Sequence, residues 1–147
     1  MILVSACLAG VNCKYNGGNS RNDFIVKMVQ EGNAIPVCPE QLGGCSTPRL
    51  QVEIFEGTGA DVLEGKCRVV RKNGEDTTKE FIKGANEVLN IAKLANADSA
   101  ILKARSPSCG SGQIYDGTFS GKLREGNGVT AELLIRNQIK VISEEDI

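Results

Sequence analysis

The chain has 147 residues, a length typical of one domain whose core needs no disulfide bonds to hold it together. Its net charge is -1 and its basic residues form no block, so the composition gives no support for binding to extended nucleic acid. Histidine is absent, which excludes a Ser-His-Asp triad and a Cys-His nucleophile pair and removes the most common metal ligand.

The first third of the chain predicts two strands with a helix between them. The strand segments are short apolar runs, and the helical segment has apolar residues at helical spacing and a glycine after its last turn. These elements are a strand over 2–5, a helix over 23–31 and a strand over 34–37. The second strand ends at Cys38, because the following Pro39 cannot donate to a sheet ladder.

The middle of the chain predicts short strands over 51–55 and 61–71, from alternating polar and apolar residues, followed by an Asn-Gly turn. A helix then begins at Thr77 or Thr78, either of which can cap it, and runs to about Leu94. Its apolar residues recur on one face over the whole length. It is the most strongly patterned helix in the chain.

The last third again alternates strand and helix. The predicted elements are a strand over 99–103, a hairpin turn at Asp116, a helix over 129–137 and a strand over 139–142. Such alternation is typical of α/β folds. We therefore expect residues 1–147 to form a single-domain layered α/β fold, Rossmann-like, with a mainly parallel sheet and a β-hairpin insertion.

The six cysteines have no disulfide spacing pattern. The apolar start, MILVSACLAG, lacks a basic region before it and is followed by the polar segment 12–23, so we expect neither a signal peptide nor a membrane span. A cytoplasmic location follows as an expectation, because thiols without export signals usually serve metal or redox chemistry in the reducing cytosol.

Three of the cysteines, Cys7, Cys38 and Cys109, each follow a predicted strand. Successive strand-to-helix loops of an open parallel sheet converge at its carboxyl edge, where ligands bind. Each thiol also has loop residues beside it, so we prefer a shared metal site to three separately buried thiols. Cys67 fits the second interpretation best, since free cysteine often packs as a small apolar group.

The metal and the third ligand stay open on spacing alone. Cys45 lies on the same loop as Cys38 and could replace it as a ligand. Cys13 lies on the loop after Cys7 and could also serve. No C-x-x-C pair is present, so an iron–sulfur cluster and zinc remain alternatives, while all-sulfur ligation disfavours hard cations.

Polar groups lie in the same loops. Glu40, two residues after Cys38, is the candidate proton carrier in a chain without histidine. Ser106 and Ser108 could hydrogen-bond a substrate, and Gly110 would let backbone N–H groups point into the site. The alternatives are a solvated surface glutamate and serines that only support their turn.

Three segments occur in order along the chain: SACLAGVNCKYNGG, VCPEQLGGCSTPR and KARSPSCGSGQIYDGTFSG. As a set they make the sequence resemble the thiouracil desulfurase family, in its short stand-alone form, over nearly the whole chain. The resemblance implies a [4Fe-4S] cluster held by only three cysteines, Cys7, Cys38 and Cys109. It also implies one iron left open to bind the sulfur of a thiocarbonyl substrate.

On this interpretation the protein is a desulfidase that removes sulfur from a thiolated pyrimidine or similar small thiocarbonyl compound and releases sulfide without net redox change. Glu40 and Ser106 are then assigned as catalytic, and Ser108 and Gly110 as substrate-binding. The expected partner is a small thiolated nucleobase or nucleotide, with no membrane and no extended nucleic acid. The alternative is a non-catalytic module that binds zinc, an iron–sulfur cluster or a nucleotide with the same loops.

Overall fold

The computed structural model describes residues 1–147. Its strands are β1 (Ile2–Ser5), β2 (Ala34–Val37), β3 (Val52–Phe55), β4 (Arg68–Arg71), β5 (Ser99–Leu102), β6 (Gln113–Tyr115), β7 (Leu123–Glu125) and β8 (Lys140–Ser143). Its α-helices are α1 (Asp23–Gln30), α2 (Pro39–Leu42), α3 (Gly59–Leu63), α4 (Thr78–Leu94) and α5 (Val129–Arg136). Short 3-10 helices cover Ala6–Ala9 and Glu144–Asp146. None of the helices has the length and apolar character needed to cross a membrane.

Four parallel strands form the central sheet in the order β2-β1-β5-β8. The chain adds β2 on one side of β1 and then returns to add β5 and β8 on the other side. The strand order therefore reverses between β1 and β5. In open parallel sheets, the carboxyl ends of the strands beside such a reversal form the usual ligand crevice.

Both faces of the central sheet are buried, which explains why its strands read as continuous apolar runs. Leu3, Ala100 and Leu102 pack with α4 and α5 in one core cluster. The alternate residues Val4 and Ile101 pack on the other face in a cluster that includes the apolar side of α1. Successive side chains of a strand point to opposite faces, so one short strand contributes to both clusters.

Two antiparallel hairpins, β3-β4 and β6-β7, lie outside the central sheet. They contribute Ile54, Val69 and Ile114 to a third core cluster, together with Phe81 of α4 and Val129 of α5. The two hairpins are thereby fixed against the N-terminal parts of α4 and α5.

The short helix α2 packs on α4 through a pair of glycines. A Cβ added to Gly84 of α4 would collide with the carbonyl oxygen of Pro39, and one added to Gly43 would collide with the carbonyl oxygen of Glu80. The two backbones are therefore closer than any other residue would allow. Because α2 directly follows β2, this contact fixes the position of Glu40 at the end of the sheet.

The predicted α/β class with a mainly parallel sheet and a hairpin is confirmed. The predicted strand over 61–71 is wrong in its first part, because Gly59–Leu63 is the helix α3. Asp61 Oδ2 accepts hydrogen bonds from the backbone N–H and the hydroxyl of Thr58, at 2.9 and 3.1 Å, which fixes the start of that helix. The loop expected after Cys38 contains the helix α2, which has Pro39 at its first position.

Candidate metal and substrate site

A cavity of about 440 Å³ lies at the carboxyl edge of the central sheet, beyond β1, β2 and β5. Residues that follow these three strands form one part of its wall. Residues of β3 and of the β6-β7 hairpin form another part. The cavity therefore lies where the strand order predicts a ligand crevice.

Four thiols line this cavity: Cys7, Cys13, Cys38 and Cys109. Cys7 lies in the 3-10 helix after β1, Cys38 caps α2 after β2, and Cys109 lies on the loop after β5. Each of these three comes directly from a strand of the central sheet, so the sheet itself brings them together. Cys13 arrives from the longer loop between β1 and α1.

Cys13 lies beside two of the other thiols. The thiols of Cys7 and Cys38 both affect the pKa of its side chain, and the Sγ of Cys38 is 3.9 Å from the carbonyl oxygen of Cys13. The Sγ of Cys109 accepts a long hydrogen bond from the hydroxyl of Ser108, with 3.7 Å between sulfur and oxygen. All four cysteines are free.

The remaining two cysteines lie elsewhere. Cys45 is buried in the core cluster under β3-β4, with its Sγ 3.9 Å from the hydroxyl of Thr77. Cys67 is half-buried, with its Sγ 3.7 Å from the carbonyl oxygen of Thr58. Neither lines the cavity. Of the two cysteines on the loop after β2, the structure therefore brings Cys38, and not Cys45, to the other thiols.

The protein environment raises the pKa values of three of the cavity thiols, those of Cys13, Cys38 and Cys109. Burial raises the pKa of Cys109 to about 12, against the opposing effect of the Ser5 and Ser108 hydroxyls. The hydrogen bond with Cys38 lowers the pKa of Cys13, but the hydrogen bond with Cys7 and burial outweigh it and raise that pKa to about 11. The hydrogen bond with Cys13 and burial raise the pKa of Cys38. A metal that binds here must therefore displace protons.

The donor set suits a polynuclear iron–sulfur cluster better than a single ion. No three of the Cys, Asp or Glu side chains come together closely enough to hold one metal ion. A structural zinc site needs four ligands around one ion, so the zinc alternative gains no support from this arrangement. In a cluster each thiolate binds a different iron, and an all-sulfur set is the donor type that such clusters use.

Glu40 lies among these thiols, with its side chain 14 % exposed. Its Oε1 accepts a hydrogen bond from Nε of Arg49 at 3.0 Å, and its Oε2 accepts one from the hydroxyl of Ser108 at 2.9 Å. Arg49 is 6 % exposed and also donates to the carbonyl oxygen of Cys13 at 2.8 Å. The carboxylate is therefore fixed at both oxygens and is not a solvated surface group.

Ser106 extends this network. Its Oγ lies 3.0 Å from the Oγ of Ser108 and accepts the backbone N–H groups of Ser108 and Cys109, at 3.2 and 3.1 Å. A continuous hydrogen-bond chain thus runs from Ser106 through Ser108 to Glu40. The two hydroxyls both shape the loop and connect it to the carboxylate.

Gly110 has a different place from the one expected. It does not line the cavity, and its backbone N–H donates to the carbonyl oxygen of Ser106 at 2.9 Å. A Cβ at this position would lie 2.7 Å from that same oxygen and 2.9 Å from the carbonyl oxygen of Gln113. The glycine is thus required for close packing of the loop, and its N–H is not available to a substrate.

Part of the cavity wall was not predicted from the sequence. Glu53, Tyr115 and Phe119 come to it from the hairpins, and Tyr15 comes from the loop between β1 and α1. Glu53 stands among apolar residues in β3. A charged residue in an otherwise apolar strand was the one sign in the sequence of a functional carboxylate. The aromatic residues carried no such signal, because each reaches the cavity through a loop or hairpin remote in sequence.

The chain is similar to known proteins in both sequence and structure. The sequence pattern of the 2-thiouracil desulfurase family matches residues 2–146. The uncharacterized protein YbbK of Bacillus subtilis (strain 168) is 52 % identical over 147 residues, covering 100 % of this chain and 97 % of that protein. The solved structure of the [4Fe-4S]-dependent thiouracil desulfidase TudS is 38 % identical in sequence and superposes with a TM-score of 0.87, covering 99 % of this chain and 91 % of that one.

Proposed function

The chain belongs to the 2-thiouracil desulfurase family, and from this we propose that it is a [4Fe-4S]-dependent desulfidase acting on a thiolated pyrimidine or similar small thiocarbonyl compound. In the overall reaction a C=S group and water give a C=O group and hydrogen sulfide. Carbon keeps its oxidation state, so the reaction needs neither an oxidant nor a reductant.

One observation carries this proposal. Three thiols at the ends of three adjacent strands face the same cavity as the hydrogen-bonded carboxylate of Glu40. A site that only held a cluster in place would have no use for a nearly buried carboxylate beside it, because burying a charge costs free energy. A desulfidase needs both a sulfur-binding metal and a proton carrier.

Cys7, Cys38 and Cys109 are the proposed cluster ligands. Three thiolates would leave one iron without a protein ligand, and the bound cluster would supply a Lewis acid for the thiocarbonyl sulfur. Cys13, beside Cys7 and Cys38, is the extra thiol of the site. Its carbonyl oxygen accepts a contact from the Sγ of Cys38 at 3.9 Å.

Glu40 is the proposed proton carrier. Its Oε2 accepts a proton from the water that attacks the thiocarbonyl carbon and later donates it to the departing sulfur. Arg49 orients the carboxylate through Oε1, while Ser108 orients it through Oε2. Ser106 reaches the same carboxylate through Ser108, and either hydroxyl can turn to a substrate or water in the cavity.

The experiment is desulfuration by protein whose cluster has been reconstituted without oxygen. We expect 2-thiouracil or 4-thiouracil to give uracil and sulfide in equal amounts, while an S-methylated analogue reacts poorly because the methyl group blocks the sulfur. If a cluster-loaded protein released no sulfide from any thiopyrimidine base, nucleoside or nucleotide, the enzyme would be excluded and the non-catalytic metal-binding module would remain.

A further inference from the structure

The cavity wall formed by the hairpins contains a second buried carboxylate, Glu53 of β3. The residue is 8 % exposed and lines the cavity. Its Oε1 accepts the backbone N–H groups of Gly117 and Phe119, at 2.9 and 3.1 Å. One oxygen atom therefore accepts two backbone N–H groups of the β6-β7 turn.

The other oxygen, Oε2, has no partner within the protein. Glu53 forms no ion pair, although eight pairs occur elsewhere in the structure. Only one side-chain N or O atom is fully enclosed and lacks a hydrogen bond, and it is the hydroxyl oxygen of Thr130. Oε2 of Glu53 is therefore not fully enclosed, and the residue lines the cavity.

Anchoring the turn does not account for a carboxylate at this position. A glutamine would present the same carbonyl oxygen to the N–H groups of Gly117 and Phe119 without a buried charge. Removing a charge from water costs free energy unless a partner compensates for it. A donor from the ligand would be such a partner.

The aromatic side chains beside Glu53 suit a flat ring. Tyr115 and Phe119 lie on the same hairpin that Glu53 holds, and both line the cavity. Aromatic faces favour a stacked ring, and a carboxylate oxygen in the wall can accept only from a donor on the edge of that ring. Pyrimidinones such as uracil and its thio analogues carry N–H groups on that edge.

We propose that Oε2 of Glu53 accepts a ring N–H of the substrate and thereby selects pyrimidine rings that carry an unsubstituted N–H. The inference rests on the proposed function for the identity of the ring. It adds a specificity-determining residue outside the cysteine and serine loops. A site that hydrogen-bonds a substrate in this way rejects an analogue that leaves the site's polar group unpaired.

The test is calorimetric binding of uracil and of 1,3-dimethyluracil, which has no N–H, to cluster-loaded protein. Uracil has no sulfur, so this measurement does not depend on turnover. We expect Glu53→Gln to weaken uracil binding by about tenfold to a hundredfold, because the amide N–H₂ replaces the acceptor, and to change dimethyluracil binding little. Glu56→Gln, on an exposed residue just after β3, is the matched control and should bind both as wild type does.

Two results would overturn the proposal: unchanged uracil binding in Glu53→Gln, or an equal loss for both ligands, which would reveal an effect through the turn alone. Wild-type protein gives a second measurement if the variant folds poorly, since dimethyluracil must bind at least about tenfold more weakly than uracil. If uracil binding depends on Glu53 but no thiopyrimidine releases sulfide, ring recognition is supported and the desulfidase is excluded. If Glu53→Gln releases sulfide as the wild type does, the desulfidase is supported and ring recognition by Glu53 is excluded.

Discussion

Replacing Gly84 by alanine tests how the fold positions the carboxylate of Glu40. In the interior of a helix, alanine normally stabilises relative to glycine by about 1 kcal/mol, because it restricts the unfolded chain. In α4 a Cβ at this position would run into the carbonyl oxygen of Pro39. The obstacle is a backbone atom, so no side-chain rotation can relieve the contact.

The expected magnitude follows from these opposing effects. Overpacking a closely packed contact costs about 1–3 kcal/mol. We take the upper end, because the whole of α2 must move, and subtract the gain of about 1 kcal/mol in helix propensity. The result is a net destabilisation of about 2 kcal/mol. The same movement displaces Glu40, so we also expect turnover to fall by about tenfold or more, since proton transfer needs accurate positioning.

Urea unfolding of the cluster-free proteins, followed by circular dichroism under reducing conditions, measures the stability change. Sulfide release by the reconstituted proteins measures turnover. Asn90→Ala is the matched control, because Asn90 is an exposed residue of the same helix and should gain a few tenths of a kcal/mol. A Gly84→Ala protein at least as stable as the wild type would refute the argument that α2 and α4 are in backbone contact.

Three further predictions concern the proposed ligands, the proposed proton carrier and the end of the sheet. Cys38→Ser should prevent cluster assembly while Cys45→Ser retains it, as iron and acid-labile sulfide analysis will show; the opposite pattern would reassign the third ligand. Glu40→Gln should keep the cluster and lower sulfide release by about a hundredfold, and a cluster-loaded variant with the wild-type rate would remove Glu40 from the mechanism. Glu144→Ala should lower the free energy of unfolding by about 2 kcal/mol, because the N–H of Ala104 loses an acceptor at 2.8 Å; Glu144→Gln keeps that acceptor and should cost less in the same urea experiment.

The strands of the central sheet could be predicted because their signals are local. Short apolar runs that end at a loop or proline identify β1, β2 and β5 without knowledge of any contact. The positions of Cys7 and Cys38 at strand ends then follow from the general geometry of parallel sheets.

Local signals were also present where the prediction failed. Thr58 and Asp61 have the spacing of a helix N-terminus, but the alternation of polar and apolar residues after them favoured a strand. The four residues of α2 are too few to show helical periodicity, and their helix is fixed by packing against Gly84. A tertiary contact therefore decided α2, whereas the start of α3 depends on a local capping interaction between Thr58 and Asp61.

The sequence by itself determined the residue types of the site: thiols without histidine, one carboxylate and two serines in the loops after the strands of a parallel sheet. Only the tertiary structure decided which of them meet. Ser108 hydrogen-bonds to Glu40, which is 68 positions away in the chain, and Glu53 hydrogen-bonds to Gly117, which is 64 positions away. The same packing placed Cys45 in a hydrophobic core and left Cys13 and Arg49 in the wall of the site. Contacts between residues so far apart depend on how whole strands and helices pack, and no local pattern in the chain records that packing.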